Sequence, residues 1–188
     1  MKKIEVGANP YMYPMPTVLV GAHVNNKPNY RTIAYCSMVQ ISPPVVAIGM
    51  GSGAYTGEGI KEAQGFSVNI PSEDMVTLVD YCGIVSGKDK DKSRLFKNFY
   101  GKLGNVPMIE ECPVSLECKL LKVVSLNGNH ELFLGEIVEI YCNEEATLNG
   151  KPDIQHVKPI LFSCGDKRYY KTGEPFATAW KIGKDFKD

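Results

Sequence analysis

Between Thr17 and Val24, apolar Val18, Val20, Ala22 and Val24 alternate with Leu19, Gly21 and His23, and this period of two predicts a strand. Asn25-Asn26-Lys27-Pro28 supplies turn residues, and a second extended run returns from Thr32 to Ile41. Pro43-Pro44 then makes a corner, because proline rings remove two ladder donors, before a third strand from Val45 to Met50. Gly49, Gly51 and Gly53 break that strand. Thr56 is placed to cap a short helix ending near Gln64, with Gly65 as its left-handed C-terminal residue.

Phe66-Ser67-Val68-Asn69-Ile70 alternates again and reads as a strand. Ser72 before Glu73 and Asp74 predicts a helix from Glu73 to Cys82, since first-turn acids suit the positive end of a helix dipole. Ser86 to Ser93 is polar and reads as a loop around Gly87. Leu95, Phe96 and Phe99 predict one or two helical turns. After Pro113 the pattern changes to long strands: Val114, Leu116, Cys118 and Leu120 alternate with polar residues, Asn127-Gly128 is a strong hairpin signal, and Glu131 to Cys142 returns antiparallel. Ile160–Phe162 and Tyr169-Tyr170 add short closing segments.

Strands dominate, their joins are hairpin-like, and the helices fall in one excursion at about 56–105. A single domain over 1–188, mainly β with a few helices and built as a closed or split antiparallel barrel, is the economical architecture. Val45 to Met50 and Leu132 to Cys142 carry apolar groups on both faces. That calls for a second buried surface, which a homodimer supplies.

Charge and composition then remove whole classes of function. Lysine plus arginine number 21 and aspartate plus glutamate 21, so no basic surplus exists to neutralise a nucleic-acid strand and no nucleic-acid partner is expected. The first residues lack the apolar core of a signal peptide, and the run at Val45–Ile48 is far too short to span a bilayer. No membrane association is expected, and a cytoplasmic location is the default. Six cysteines form no Cys-x-x-Cys pair and three histidines no ligand spacing, so no metal site is predicted and packed thiols are the plain reading.

Gly49-Met50-Gly51-Ser52-Gly53-Ala54 fits the dinucleotide-binding pattern G-x-G-x-x-A. That pattern acts inside a βαβ unit, and the short helix and following hairpins argue against one. The same residues suit a phosphate cradle: glycines admit an anion to the backbone, a helix N-terminus presents free N–H groups, Ser52 and Thr56 add hydroxyls, and Lys92 adds a charge if its loop folds back. Ordinary turn and capping chemistry is the alternative for those hydroxyls.

Several blocks, in order, resemble the flavin reductase-like family and its flavoredoxin-type members. They are Pro14 to Val20, Asn29 to Ser37, Ile41-Ser-Pro-Pro44, Thr56 to Asn69, Ser86-Gly87-Lys88-Asp89-x-Asp91-Lys92 and Gly135-Glu-Ile-Val138. The resemblance implies an FMN-binding split barrel of Greek-key type. It implies FMN along Ala34, Tyr35, Cys36, Ser37 and Met38, with Ser37 and main-chain groups bonding the isoalloxazine ring. Ser52, Tyr55, Thr56 and Lys92 then serve the phosphate end, with Asn29 and Thr32 as further contacts. Arg31 is left between phosphate, nicotinamide and solvent. Cys36 is read as a small side chain packed beside the ring, and His23, His130 and His156 as structural or exposed; core or interface packing is expected of Trp180, Tyr169 and Tyr170.

No catalytic side chain is assigned, because hydride transfer to a flavin needs no protein nucleophile. The leading expectation is an oxidoreductase in which NADH or NADPH reduces bound FMN and electrons pass to an acceptor. The alternative is an FMN electron carrier that exchanges electrons with redox-protein partners. A barrel that binds another phosphorylated ligand, or merely dimerises, is the third reading.

Overall fold

A computed structural model describes residues 1–186. After the short β1 (Met15–Pro16), strands β2 (Val18–Val24) and β3 (Lys27–Ile33) form a hairpin. Its turn is just Asn25-Asn26, at φ 51° and 60°, a left-handed pair that matches the twist of the flanking strands. Lys27 and Pro28 already belong to β3, which tolerates the proline because it is an edge strand.

The run expected as one strand from Thr32 to Ile41 is two. β3 ends at Ile33 and β4 (Cys36–Gln40) begins after Ala34-Tyr35. The Cys36 N–H donates to the Ala34 carbonyl at 3.0 Å, and the Gly49 N–H donates to the Tyr35 carbonyl at 2.7 Å. These bonds turn the chain there. A corner containing the cis Ser42–Pro43 bond leads into β5 (Val45–Gly51).

Helix α1 (Tyr55–Ala63) starts one residue before Thr56, with Ala54 in the N-cap position and no side-chain cap. Gln64, at φ 54°, takes the left-handed C-terminal place expected of Gly65. Gly65 instead opens β6 (Gly65–Ile70), where an added Cβ would lie 3.2 Å from the Cys118 carbonyl and 2.8 Å from Val106. A 3₁₀ turn at Glu73–Met75 precedes α2 (Val76–Ile84), so the expected helix is displaced toward its C-terminus. The helical turns expected around Phe96 are absent: β7 (Asn98–Phe99) pairs with β8 (Met108–Ile109), and Phe96 packs edge-on against Tyr30 at 5.3 Å.

The long hairpin of β9 (Val114–Ser125) and β10 (His130–Cys142) follows as expected. The chain closes through the β11 (Thr147–Leu148) and β12 (Lys151–Pro152) pair, α3 (Ile154–Val157), β13 (Leu161–Ser163) and β14 (Arg168–Tyr170).

One antiparallel sheet of seven strands runs β3-β2-β6-β9-β10-β5-β4. Its two edges, β3 and β4, are successive in the chain and joined by two residues, so the sheet curls on itself without a ladder closing it. This is a split barrel. β5 has only antiparallel neighbours and does not adjoin β6, so the glycine pattern lies in no βαβ unit. Inside the curl lie Val18, Val20, Ile33, Ile48, Phe66, Leu116 and Phe133. Outside it, Leu19, Tyr30, Val79, Cys82 and Phe96 form a second core beneath α2. The period of two in β2 divides its side chains between these cores.

A buried polar knot ties the layers. The Asn69 amide donates to the Leu19 carbonyl and Ser67, while its oxygen accepts from the Ile109 N–H and Ser115. All six cysteines are free. Tyr169 packs at the second core and donates to Asp80 at 2.8 Å, but Trp180 is 94% exposed, so the described residues provide no packing for it. Among the described residues, no helix is long and apolar enough to cross a membrane.

Candidate functional site

Two concavities lie along this part of the chain, one at the start of β3 and one lined by the segment just past its end. At the strand's start, the loop from Gly87 to Lys92 lies over Lys27, Pro28, Asn29 and Tyr55, enclosing a pocket of about 210 Å³. The Asn29 amide donates to the Thr56 hydroxyl at 2.7 Å, with the two residues 4% and 2% exposed. Gly87 must be glycine here: a Cβ would stand 2.1 Å from Asn29 Oδ1 and 2.7 Å from the Tyr55 ring. Lys27, Lys88, Lys90 and Lys92 line the pocket against Asp89 and Asp91. Tyr55 and Thr56 are the first residues of α1, whose leading N–H groups have no intrahelical acceptor and no side-chain cap. The pocket therefore combines cations, hydroxyls and the positive end of a helix dipole, which together suit an anion.

Its charges are partly spoken for. Lys27 meets Asp91 at 3.0 Å and Lys88 meets Glu58 at 3.2 Å, both exposed pairs of small energetic weight. Bonds from Ser93, together with Lys27, hold the Asp91 carboxyl below the ordinary carboxylate range. The ammonium of Lys92, 3% exposed, donates to the Tyr30 carbonyl at 2.9 Å and the Cys82 carbonyl at 3.1 Å. Burial lowers its pKa. Lys92 thus clasps the main chain beneath the pocket, with one of its three donors left over.

At the far end of β3, Ala34, Tyr35, Cys36 and Ser37 line a groove of about 380 Å³ with Met12, Met15, Ala47, Gly49, Leu126, His130 and Leu132. The register of β10 on β5 sets His130 opposite Gly51 and Leu132 opposite Gly49. His130 stacks edge-on against Tyr35 at 5.6 Å. A Cβ on Gly49 would approach the Tyr35 Cβ to 3.1 Å, so the glycine admits that ring. Burial pushes the Cys36 thiol up to about 11, so it is protonated and unreactive at neutral pH. The groove's lining is almost wholly apolar, which suits a flat ring.

Five residue steps along β3 separate Asn29 from Ala34, roughly 16 Å of extended chain. Asn29, Tyr55 and Lys92 line the first concavity, with Thr56 buried behind Asn29, and Ala34 to Ser37 line the second. Three other expected residues enter neither. Thr32 donates its hydroxyl to the Val79 carbonyl on the α2 side of β3. Ser52 sits in the exposed turn before α1, its N–H bonded to the Asn129 carbonyl at 3.0 Å. Met38 is 53% exposed on the outer edge. Arg31 is part-buried on β3, and its charge bears on Lys92.

Gly87 and His130 were not among the expected contacts. Gly87 was legible only as a loop glycine, since the clash it avoids comes from a residue far off in sequence. His130 follows from the Asn127-Gly128 turn once β10 is registered on β5, a pairing no local pattern encodes. His23, by contrast, has a structural partner in Tyr100, 3.0 Å away.

Residues 11–169 match the family model described as flavin reductase like domain. The flavoredoxin of Methanosarcina acetivorans superposes with a TM-score of 0.95 at 41% identity, covering 98% of each chain. The flavoredoxin of Desulfovibrio vulgaris gives 0.90 at 32% identity, over 97% of this chain and all of the other. An FMN-binding protein of Thermus thermophilus, solved with bound 1-cyclohex-2-enone, gives 0.80 at 26% identity over 95% of this chain and all of that one.

Proposed function

The chain belongs to the flavin reductase-like family, among its flavoredoxin-type members, and from that we propose that it is an FMN redox protein whose cofactor lies along β3. One observation carries the reading: β3 runs from a pocket suited to an anion at its start to an apolar ledge just past its end. The residues fit the group. A Cβ at position 87 would fill the cradle, the N-terminus of α1 is uncapped by any side chain, and the ledge offers flat apolar surface.

In this reading Asn29, Tyr55, Thr56 and the α1 N–H groups hold the phosphate, and Lys88 and Lys90 add charge. Lys92 fixes the strand beneath it. The main chain of Ala34 to Ser37, with the Ser37 hydroxyl, faces the ring edge, and Tyr35 with His130 walls the groove. Bound FMN supplies acceptance and release of electrons; the protein positions it, limits access of water and leaves one side of the groove open to a donor.

NADH or NADPH as donor makes the protein an oxidoreductase. A redox-protein donor makes it a carrier, and a specific feature favours this second reading. Among the described residues lining the groove the charged one is Glu131, which pairs with Lys61 at 2.8 Å, so no cation there awaits a dinucleotide pyrophosphate. The two flavoredoxin likenesses point the same way.

Purified protein is expected to be yellow, and an anaerobic titration separates the donors. Bleaching by a reduced iron–sulfur protein but not by millimolar NADH or NADPH identifies the carrier; the reverse identifies the oxidoreductase. A colourless protein that takes up no FMN would sink both. The exposed Met38, Val39 and Ile41 beside the groove fit a homodimer, which light scattering during size-exclusion chromatography tests directly.

A further inference from the structure

α1 covers one end of the split barrel, where Gly59 lies against the His23 carbonyl and Gly57 against Phe133. The opposite mouth is open. It holds a cavity of about 500 Å³ walled by Val18, Ile70, Leu116, Ile140, Val157 and Ile160, with no aromatic side chain in its lining. That size falls within the ordinary range for small-molecule sites, and barrel mouths are a favoured place for them.

Two polar groups interrupt this aliphatic wall. Thr17, 1% exposed, is a buried residue whose hydroxyl oxygen finds no hydrogen-bond partner among the described residues, although its N–H is bonded to the Ile160 carbonyl at 3.0 Å. A buried hydroxyl left unpaired is costly, and native structures rarely leave one without a reason. Asp153 stands at the rim. One of its oxygens accepts from the Gln155 and His156 N–H groups and meets His156 Nδ1 at 2.6 Å; among the described residues the other carries no bond. A ligand for this place needs an aliphatic body without net negative charge and a head that can donate to a carboxylate and accept from a threonine hydroxyl. An alcohol is the smallest group that does both.

We propose that the barrel mouth distal to α1 is a second binding site, for a small aliphatic alcohol, separate from the β3 concavities. Its chain lies against Val18, Ile70 and Leu116, with its hydroxyl toward Thr17 and Asp153.

Isothermal titration of the FMN-loaded protein with octan-1-ol and with octanoate, at mildly alkaline pH, tests this. The alcohol is expected to bind at least tenfold more tightly than the carboxylate, with the flavin spectrum unchanged. Asn caps a helix as well as Asp does, so Asp153→Asn keeps α3 and abolishes the preference. Thr17→Val weakens the alcohol several-fold, and Ile154→Trp at the exposed rim blocks it. Equal affinity for the two probes, binding that survives Ile154→Trp, or no heat because a second copy covers this mouth would each overturn the proposal. A protein that binds octanol but no FMN would overturn the reading of β3 while leaving this site standing.

Discussion

The Asn29 amide and the Thr56 hydroxyl meet at 2.7 Å across the start of β3 and the first turn of α1, each almost wholly buried. Asn29 lines the pocket at the start of β3, and this contact braces it from behind. Thr56→Val strips the acceptor while keeping the shape, leaving a buried amide unsatisfied at a cost of about 1–3 kcal/mol. If part of that cost falls on the bound state, the FMN dissociation constant rises by about tenfold or more. Fluorescence titration with FMN measures the affinity, and urea denaturation of the apoprotein measures the stability.

Gly87 is tested more sharply by one added methyl. Gly87→Ala places a Cβ within 2.1 Å of Asn29 Oδ1 and must push the loop outward. Overpacking of this kind costs about 1–3 kcal/mol. Because Gly87 lies in a surface loop that can move outward, the loss is expected mainly in FMN affinity, with the thermal midpoint lowered by only a few degrees. Unchanged affinity would separate this loop from the phosphate.

Cys36 gives a pH prediction whose sign follows from its burial. A free thiol ionises near 8.5, whereas Cys36 is pushed up to about 11. Between those values the unfolded chain has released a proton that the folded chain keeps. Stability contributed by this residue is therefore whole below about pH 8.5 and falls as pH rises toward 11, by about 3 kcal/mol in all. Cys36→Ala is expected to flatten that alkaline decline in urea midpoints. The variant is expected to keep its FMN reduction, since the buried thiol is protonated and unreactive at neutral pH.

Glu117 offers a structural control, since it lines neither concavity. It is fully buried, and its two oxygens accept from the Lys102 N–H at 2.8 Å and the Leu103 N–H at 2.9 Å. Glu117→Gln sets an NH₂ group against one of those donors, costing about 1–3 kcal/mol. The denaturation midpoint is expected to fall while FMN affinity holds.

The strands with clean alternation, β2, β6 and β9, were legible from sequence because one buried face and one covered face impose a local period. The break at Ala34-Tyr35 was not. It depends on the Gly49 N–H reaching the Tyr35 carbonyl, a contact set by how β4 folds back on β5. Leu95, Phe96 and Phe99 carried helical spacing, yet Phe96 is claimed by Tyr30 and Phe99 by the β7–β8 pair, so tertiary contacts overrode the local signal. Thr56 and Lys92 were expected at a phosphate, yet the Thr56 hydroxyl is bonded to Asn29 and the Lys92 ammonium to two carbonyls. Those partners lie far along the chain, where spacing does not show them.

The two-residue step from β3 to β4 has a consequence for the order of unfolding. The β9–β10 hairpin is local and central in the sheet, whereas β3 and β4 are held on one side only. Elements with fewer partners open first. A ligand laid along β3 and against Ala34 to Ser37 bridges that seam like a splint. Binding to the folded form stabilises it by mass action, so loading the protein is expected to hold this seam closed and raise the denaturation midpoint.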